Sequence, residues 1–553
     1  MSNLFKVILF IVFILFNNGC SQVANKVSDY YVRYNQLGYL PDGYKTFIII
    51  SRKDLNKSIV KITDDNNNVL KEFRLSNTID KWGKFNFNYK INITDFKQEG
   101  KYHLHINNKK VETFEINKNN YTEVRDSVLA FFKSQRCGYT SPSNHDVCHI
   151  ADATEIFDEK GNKLNISADL TGGWHDAGDY IKFINTTAFT TYMLLFSYEY
   201  NPEVFGKDAN NNNIPDVLEE AKIGLDWLLK CYLGDGKLVN IVQNLQDHDQ
   251  GWRLPESDKL KFNRPAYLSM GKNTIGMYSA TLALAYRIWK KAINYPEFEN
   301  KLLNTAREVF SYYDKVPDLD DNPTKMYIDS KFSGKLGLGA IELYLSTNDN
   351  NYLTIAKHLA EKTDADYWWS WGDVSSLLFY KIYPFDNKHI TKLEANLRHF
   401  TNYFKKNLFN NGTDYSWGTT HAMLGVCLNN ILYKTLTNNN LYDTISTAQL
   451  NYILGVNNWG MSFIQGFGKT YPKNLHSQIA FFNDGKLYGA VTAGPVPRAH
   501  YLTYKIKYEK EDYLKDFHHE KAIYVDDRFD YLTNEPTIVT NATAYFVFGY
   551  YAK

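Results

Sequence analysis

The 553-residue chain has almost no net charge: 62 Lys and Arg stand against 61 Asp and Glu, a formal +1. No global field draws in nucleic acid, so a basic binding role is disfavoured. Beyond residue 16 no apolar run is long enough to span a bilayer. Cysteine is scarce, with five in the chain. Cys231 and Cys427 sit in apolar, helix-like stretches and read as buried thiols. That leaves Cys137 and Cys148 as the pair with chemistry to explain. No short repeat and no low-complexity linker divides the chain. Length alone suggests about three or four domains, but one large barrel plus a small domain fits equally well. What the sequence has in excess is aromatic residues, 16% of the chain, with 42 Tyr, 34 Phe and 10 Trp. With 44% hydrophobic and 22% charged residues, wholesale disorder is excluded. The surplus of Tyr and Trp suits a surface that stacks on the apolar faces of sugars.

The N-terminus reads as an export signal. Val7–Phe16, VILFIVFILF, follows Lys6; it is too short to span a membrane and the right size for a signal peptide. It ends at Asn17-Asn18-Gly19-Cys20, which resembles a bacterial lipoprotein cleavage site, although the two Asn depart from the usual pattern. Residues 1–20 are therefore expected to be a leader, with Cys20 lipidated and serving as the membrane anchor. Ordinary cleavage near Ser21 is the alternative, and either route exports the protein.

Residues 28–117 alternate or run in β-branched and aromatic residues with Asn, Asp and Gly between, as in YKTFIIISR, SIVKITD and GKYHLHI. Short strands at this spacing predict a β-sandwich. From 121 to 553 the texture is helical. In DVLEEAKIGLDWLLK, Leu218, Ala221, Leu225 and Leu228 share one face, and Pro215 stands at the helix start. About a dozen such helices fit a closed barrel of helical hairpins, with function in the loops at one end.

Two carboxylate motifs carry the chemistry. Gly172-Gly173-Trp174-His175-Asp176-Ala177-Gly178-Asp179-Tyr180 places two Asp three apart with small residues between, so both can converge on one water. Far downstream, Glu535 sits among Tyr531, Leu532 and Pro536, where desolvation would keep it protonated. A carboxylate pair holding water and a distant protonated carboxyl are what inverting glycoside hydrolysis requires.

GGWHDAGDY, followed by Tyr524, Asp526, Tyr531, Glu535, Thr537, Asn541 and Ala542 at their spacing, resembles glycoside hydrolase family nine, the endoglucanase family. VRYNQLGYLP (32–41) is similar to the start of the immunoglobulin-like module that precedes one branch of it. SQRCG, IPDVLEEAKIGLDWLLK, DHDQGWRLPE and YILGVNNWGMSFIQGFG extend the likeness over nearly the whole chain. The resemblance implies a six-hairpin α/α barrel behind an immunoglobulin-like β-sandwich, and cleavage of β-glucan-like polysaccharides or oligosaccharides. It implies Asp179 as base, Asp176 as its partner on the water, Glu535 as acid, Asp526 as a supporting carboxylate and His476 beside the scissile bond. Trp174, Tyr531, Gln478 and Arg498 are expected on the substrate side.

The sequence departs from that pattern at Gln478, where the family usually has Arg, and after Gly494-Pro495, where Val496, Pro497, Arg498 and His500 replace acidic residues. A charged fork becomes a neutral amide there, which puts plain cellulose in doubt more than hydrolysis. A xyloglucan, mixed-linkage glucan or amino-sugar glycosidase is one alternative, and a non-catalytic polysaccharide-binding lipoprotein another. No additional C-terminal binding module is recognisable, so attack on crystalline cellulose is not expected.

Cys137, Cys148, His149 and His175 offer two thiolates and two imidazoles, a tetrahedral set for zinc. A disulfide is the alternative in an exported protein, and His145 is a competing ligand. The family resemblance favours a structural zinc. A zinc hydrolase is disfavoured because four protein ligands leave no open position for water. Asp208-Ala-Asn210-Asn-Asn212-Asn-Ile214 loosely resembles a calcium loop but reads as a polar turn before Pro215; calcium remains an expectation without assigned ligands. Trp252, Trp368, Trp369, Trp371, Trp417 and Trp459 fall in loop-like stretches, and some are expected to stack on sugars.

Overall fold

The computed structural model describes residues 28–76, 81–366 and 370–552. The expected leader with Cys20, together with Trp368 and Trp369, lies outside the described residues.

Seven strands build the N-terminal sandwich: β1 (Tyr30–Arg33), β2 (Thr46–Ser51), β3 (Ile59–Thr63), β4 (Val69–Arg74), β5 (Phe87–Asn92), β6 (Gly100–Ile106) and β7 (Lys109–Ile116). One sheet runs β1-β2-β5 and the other β4-β3-β6-β7, all pairs antiparallel. Strand β2 is buried on both faces, and its period of two explains how. Phe47 and Ile49 enter the sandwich core, whereas Ile48 and Ile50 join Trp82 and Phe85 against the barrel.

Among the described residues twelve long helices follow: α1 (Thr122–Gln135), α2 (Ile184–Tyr200), α3 (Asp216–Cys231), α4 (Lys272–Ala292), α5 (Pro296–Phe310), α6 (Ser333–Thr347), α7 (Asn350–Lys362), α8 (Ser375–Ile382), α9 (Ile390–Phe404), α10 (Thr419–Thr437), α11 (Asp443–Ile453) and α12 (Ile538–Tyr551). The even-numbered helices pack side by side in a ring that closes where α12 meets α2, and the odd-numbered helices lie against them. This is a barrel of six helical hairpins. Its sequence logic differs between layers. Outer helix α3 buries Leu218, Ala221, Leu225 and Leu228 and leaves Lys222 and Asp226 paired on its exposed side. Inner helix α12, IVTNATAYFVFGYY, carries no charge and is buried from Ile538 to Gly549, as a helix enclosed on all sides must be.

The loops that lead from an odd helix to the next even one emerge at the same end of the barrel, because successive helices alternate in direction. These loops hold Gly172–Ile181, His248, Tyr327, Trp417 and the long 454–537 segment.

Candidate active site

The Gly172–Ile181 loop is fixed before it reaches the cleft. Asp176 N donates to Ile181 O at 3.0 Å. Gln135 Nε2 donates to the carbonyls of His175 and Ala177 at 3.2 and 2.6 Å. The first residue of α12 ties in as well, Ile538 N to Asp176 O at 3.0 Å. Asp176 is buried and accepts from Thr186 Oγ1, and the nearby Tyr327 phenol favours its charged form. Burial, with the charge of Asp179 added, pushes its pKa up to about 7. Asp179 reaches further out: Oδ1 accepts from Ile181 N at 3.1 Å and Oδ2 from His248 Nε2 at 2.8 Å.

Glu535 arrives from the opposite side, just after the short helix Tyr531–Asn534. Its Oε1 accepts from Gly178 N at 3.0 Å, inside the loop that presents both Asp. Burial, reinforced by Asp179, raises its pKa well above the usual carboxyl range, so Glu535 keeps its proton at neutral pH. Gly178 is what lets the two sides meet. A Cβ there would overlap the His476 carbonyl and stand 3.0 Å from Glu535 Oε1. Gly178→Ala is expected to lower kcat at least about tenfold and to cost about 1–3 kcal/mol of stability. Kinetics and a denaturant melt check both.

His476 Nδ1 lies 2.7 Å from Arg528 O. A carbonyl only accepts, so Nδ1 carries the proton and Nε2 is the acceptor. Burial holds the ring neutral, with its pKa pushed down to about 4. Tyr531 packs beside it, ring centroids 5.8 Å apart, and the Trp252 ring lies 5.5 Å from that of His476.

Several expected roles change. Trp174 does not line the substrate: it is fully buried, donates Nε1 to Glu220 Oε1 at 2.8 Å and packs on Phe132. A strand-like bridge from Arg136 to Trp174 turns its side chain into the barrel. Asp526 is a hydrogen-bond hub. It accepts from Lys473 N, Asn474 N, Tyr513 OH and Asn534 Nδ2, which fixes the loop bearing His476. Gln478 Oε1 accepts from Arg253 N at 2.9 Å, a bond that an arginine side chain, having no acceptor, could not make. Arg498 is exposed at the start of the short helix Arg498–Thr503, and no bond or ion pair among the described residues joins it to Gln478. The cation beside Gln478 is Arg253, which is spent on Asp247 and Asp258.

His248 and Tyr327 were not expected. His248 stands in DHDQGWRLPE, where one more polar loop residue carries no periodic or spacing mark. Its pairing with Asp179 raises its pKa to about 9, so it faces Asp179 as a cation at neutral pH. That charge also opposes protonation of Glu535. His248→Asn is expected to make Glu535 easier to protonate, so the alkaline limb of the pH–rate profile moves to higher pH, with kcat reduced. A profile of kcat/KM against pH reads this directly.

Cys137, Cys148, His149 and His175 are all buried, and one ligand atom from each lies within 4.8 Å of the others. Cys137 Sγ to His149 Nδ1 and Cys148 Sγ to His175 Nε2 are both 3.8 Å; His149 Nδ1 to His175 Nε2 is 3.1 Å. Tetrahedral zinc with its usual bond lengths has ligand–ligand edges of about 3.5 Å, so the set fits. Both cysteines are free thiols. His149 Nε2 meets Asp258 Oδ2 at 3.0 Å, the carboxylate that orients a metal-binding imidazole. His145 instead faces the Asp146 and Ser134 carbonyls. In the 208–214 turn, Asp208 accepts from the Asn212 and Asn213 amides, and Asn210 and Asn212 donate to Glu219. Its oxygens are committed within the turn.

Trp417 is exposed, Trp252 stacks on Phe481 and Trp371 packs edge-on to Tyr327. Trp459 is buried and donates to His518.

The family described as "Glycosyl hydrolase family 9" matches residues 121–548, and "Cellulase N-terminal ig-like domain" matches 28–111. The chain belongs to glycosyl hydrolase family 9. Endoglucanase A of Bacillus pumilus is 27% identical over 417 residues, 68% of this chain; the chain spans 61% of that protein. A xyloglucan-specific endo-beta-1,4-glucanase of Bacteroides ovatus is 23% identical, covering 95% of this chain and 94% of its own. The crystal structure of a metagenome-derived family 9 endoglucanase superposes with a TM-score of 0.80 over 95% of this family 9 chain and 99% of its own, at 22% identity. That likeness is one of fold.

Proposed function

We propose that this family 9 glycoside hydrolase cleaves β-linked glucan-like polysaccharides or oligosaccharides with inversion, outside the cytoplasm, and that a structural zinc braces its base loop. The observation that carries the reading is the contact between Glu535 Oε1 and Gly178 N. It joins a protonated acid to the loop presenting a paired Asp176 and Asp179. Glu535 gives its proton to the departing glycosidic oxygen. Asp179, paired with His248, takes a proton from water, with Asp176 as the second acceptor on that water. Water attacks the anomeric carbon from the face opposite the leaving group, which inverts it.

Zinc held by Cys137, Cys148, His149 and His175 would supply structural bracing alone, since all four positions are protein-filled. His175 is the residue before Asp176, so the ion would anchor the loop that aims the base. Cobalt-substituted protein is expected to absorb with thiolate-to-metal intensity at one metal per chain. Cys148→Ser is expected to lose at least the 10- to 100-fold in metal affinity that lesser changes around such sites bring, with a lower Tm. Export with a lipid on Cys20 is part of the proposal; mass spectrometry of the mature N-terminus tests it. Among the described residues no helix is long and apolar enough to cross a membrane.

Gln478 favours a second reading on the substrate side, a branched or mixed-linkage glucan rather than plain cellulose, because no cationic fork grips the sugar there. Product release from carboxymethylcellulose, barley mixed-linkage glucan, xyloglucan, chitosan and cello-oligosaccharides separates the readings. Release from none of them overturns the proposal.

A further inference from the structure

Between Gly494-Pro495 and Tyr524 the chain makes an excursion. Val496 and Ile523 exchange both backbone hydrogen bonds, each 2.9 Å, so residues 497–522 form an arm pinched at its neck. The neck lies within the site itself. Ala493 N donates to Glu535 O on one side, and Asp526 stands just beyond the other.

The arm is anchored on two fronts. Toward the acid loop, Tyr501 OH donates to Asp530 at 2.7 Å, Glu509 N to Asp527 at 3.1 Å and Tyr513 OH to Asp526 at 2.9 Å. Arg528 and Glu509 add an ion pair at 2.9 Å. Toward the β-sandwich, Phe517 stacks on Phe85, His519 stacks on Trp82 and Asp516 pairs with Arg52. A segment held this way does not swing freely.

Its first turn faces the cleft. Tyr504 lies 5.9 Å from Tyr531 and 6.0 Å from Trp417, and His500 lies 6.4 Å from Trp417. Trp417 and Tyr531 are themselves 6.1 Å apart. Moving outward from Glu535, the contacts run to Gly178, to His476, to Tyr531 and then to Tyr504, the arm. Trp417 and Tyr504 remain 39% and 38% exposed, so this aromatic corner is accessible to a sugar but backed by fixed chain.

We propose that the arm is the end wall of the cleft on the Trp417–Tyr531 side, with Tyr504 and His500 as specificity-determining residues. The wall commits the enzyme to oligosaccharides and chain ends rather than to the interior of a polymer. The inference rests on the hydrolase reading above.

The test compares wild type with Tyr504→Ala/His500→Ala and with a variant in which Gly-Gly joins Val496 to Ile523. Carboxymethylcellulose, barley glucan and cello-oligosaccharides of two to six sugars are the substrates. The wild type is expected to release reducing ends with little loss of polymer viscosity. Both variants are expected to raise polymer rate relative to cellotetraose at least fivefold. If the shortened protein does not fold, the double substitution decides. Rapid viscosity loss with the wild type, or an unchanged ratio in the double variant, overturns the wall. If no glycan is cleaved by any of the proteins, the hydrolase reading fails instead. Calorimetric titration of the same oligosaccharides onto Glu535→Gln protein then still decides. A wall predicts affinity that stops rising with chain length and rises further once Tyr504 and His500 are removed; a length dependence unchanged by that removal overturns it.

Discussion

Glu535→Gln is expected to lower kcat on unactivated glycans by about 10³- to 10⁴-fold, the upper range for a general acid, or about 4–5.5 kcal/mol of barrier. The amide keeps the size of the side chain, and its oxygen can still accept from Gly178 N, so the loops stay docked. What is lost is the proton. Burial and the neighbouring Asp179 hold that proton on the wild-type carboxyl, and an unactivated sugar alkoxide cannot leave without it. Oligosaccharide binding is therefore expected to persist while turnover disappears. Aryl glycosides with stable phenolate leaving groups need less protonation, so their loss is expected to be smaller. Steady-state kinetics on cellotetraose and a nitrophenyl cellobioside read this contrast. Full activity on cellotetraose removes Glu535 from the acid's role.

The barrel was legible in the sequence where its helices touch water. The outer helices alternate apolar and charged faces, and α3 begins and ends within one residue of the stretch marked out by Leu218, Ala221, Leu225 and Leu228. The inner helices carry almost no such contrast, because they are enclosed all round; α4 starts at Lys272, six residues before the stretch YSATLALAYRIWKKA that opens at Tyr278. Closure of α12 onto α2 joins residues some 350 apart, and no local pattern encodes that.

Residues whose chemistry is defined by type and spacing were easier to find than residues defined by direction. Two Cys and two His converge as the donor set suggested. The two Asp and Glu535 meet through Gly178. Trp174 failed as a substrate residue because a motif gives neighbours in sequence, not which way a side chain turns. Gln478 looked like a lost charge, yet its acceptor holds Arg253 N. His248 and Tyr327 reach the Asp pair across loops from other hairpins, a relation only the closed barrel creates.

Asp179→Asn is expected to lose activity on the same scale as Glu535→Gln, about 10³- to 10⁴-fold, for the opposite reason. The acid remains, but water meets an amide that cannot take its proton. The Ile181 N bond to Oδ1 survives, so the loop is expected to hold its shape and Tm to stay near that of wild type. Asp176 is not expected to substitute: it is buried, Thr186 holds its Oδ1, and burial raises its pKa to about 7, so near neutral pH it is partly protonated. The two variants therefore differ in what rescues them. Azide is an anionic nucleophile that needs no base, and with Glu535 intact it can displace a protonated leaving group in Asp179→Asn. The C–N bond forms on the face from which water would attack as the C–O bond breaks, and Glu535 supplies the proton to the departing oxygen. The product is a glycosyl azide of inverted, α configuration, expected with Asp179→Asn or Asp179→Ala. It is not expected with Glu535→Gln on unactivated sugars, where no proton is available. Proton NMR of the anomeric centre distinguishes α from β. A β-azide, or rescue of Glu535→Gln on cellotetraose, would exchange the roles assigned to the two carboxyls.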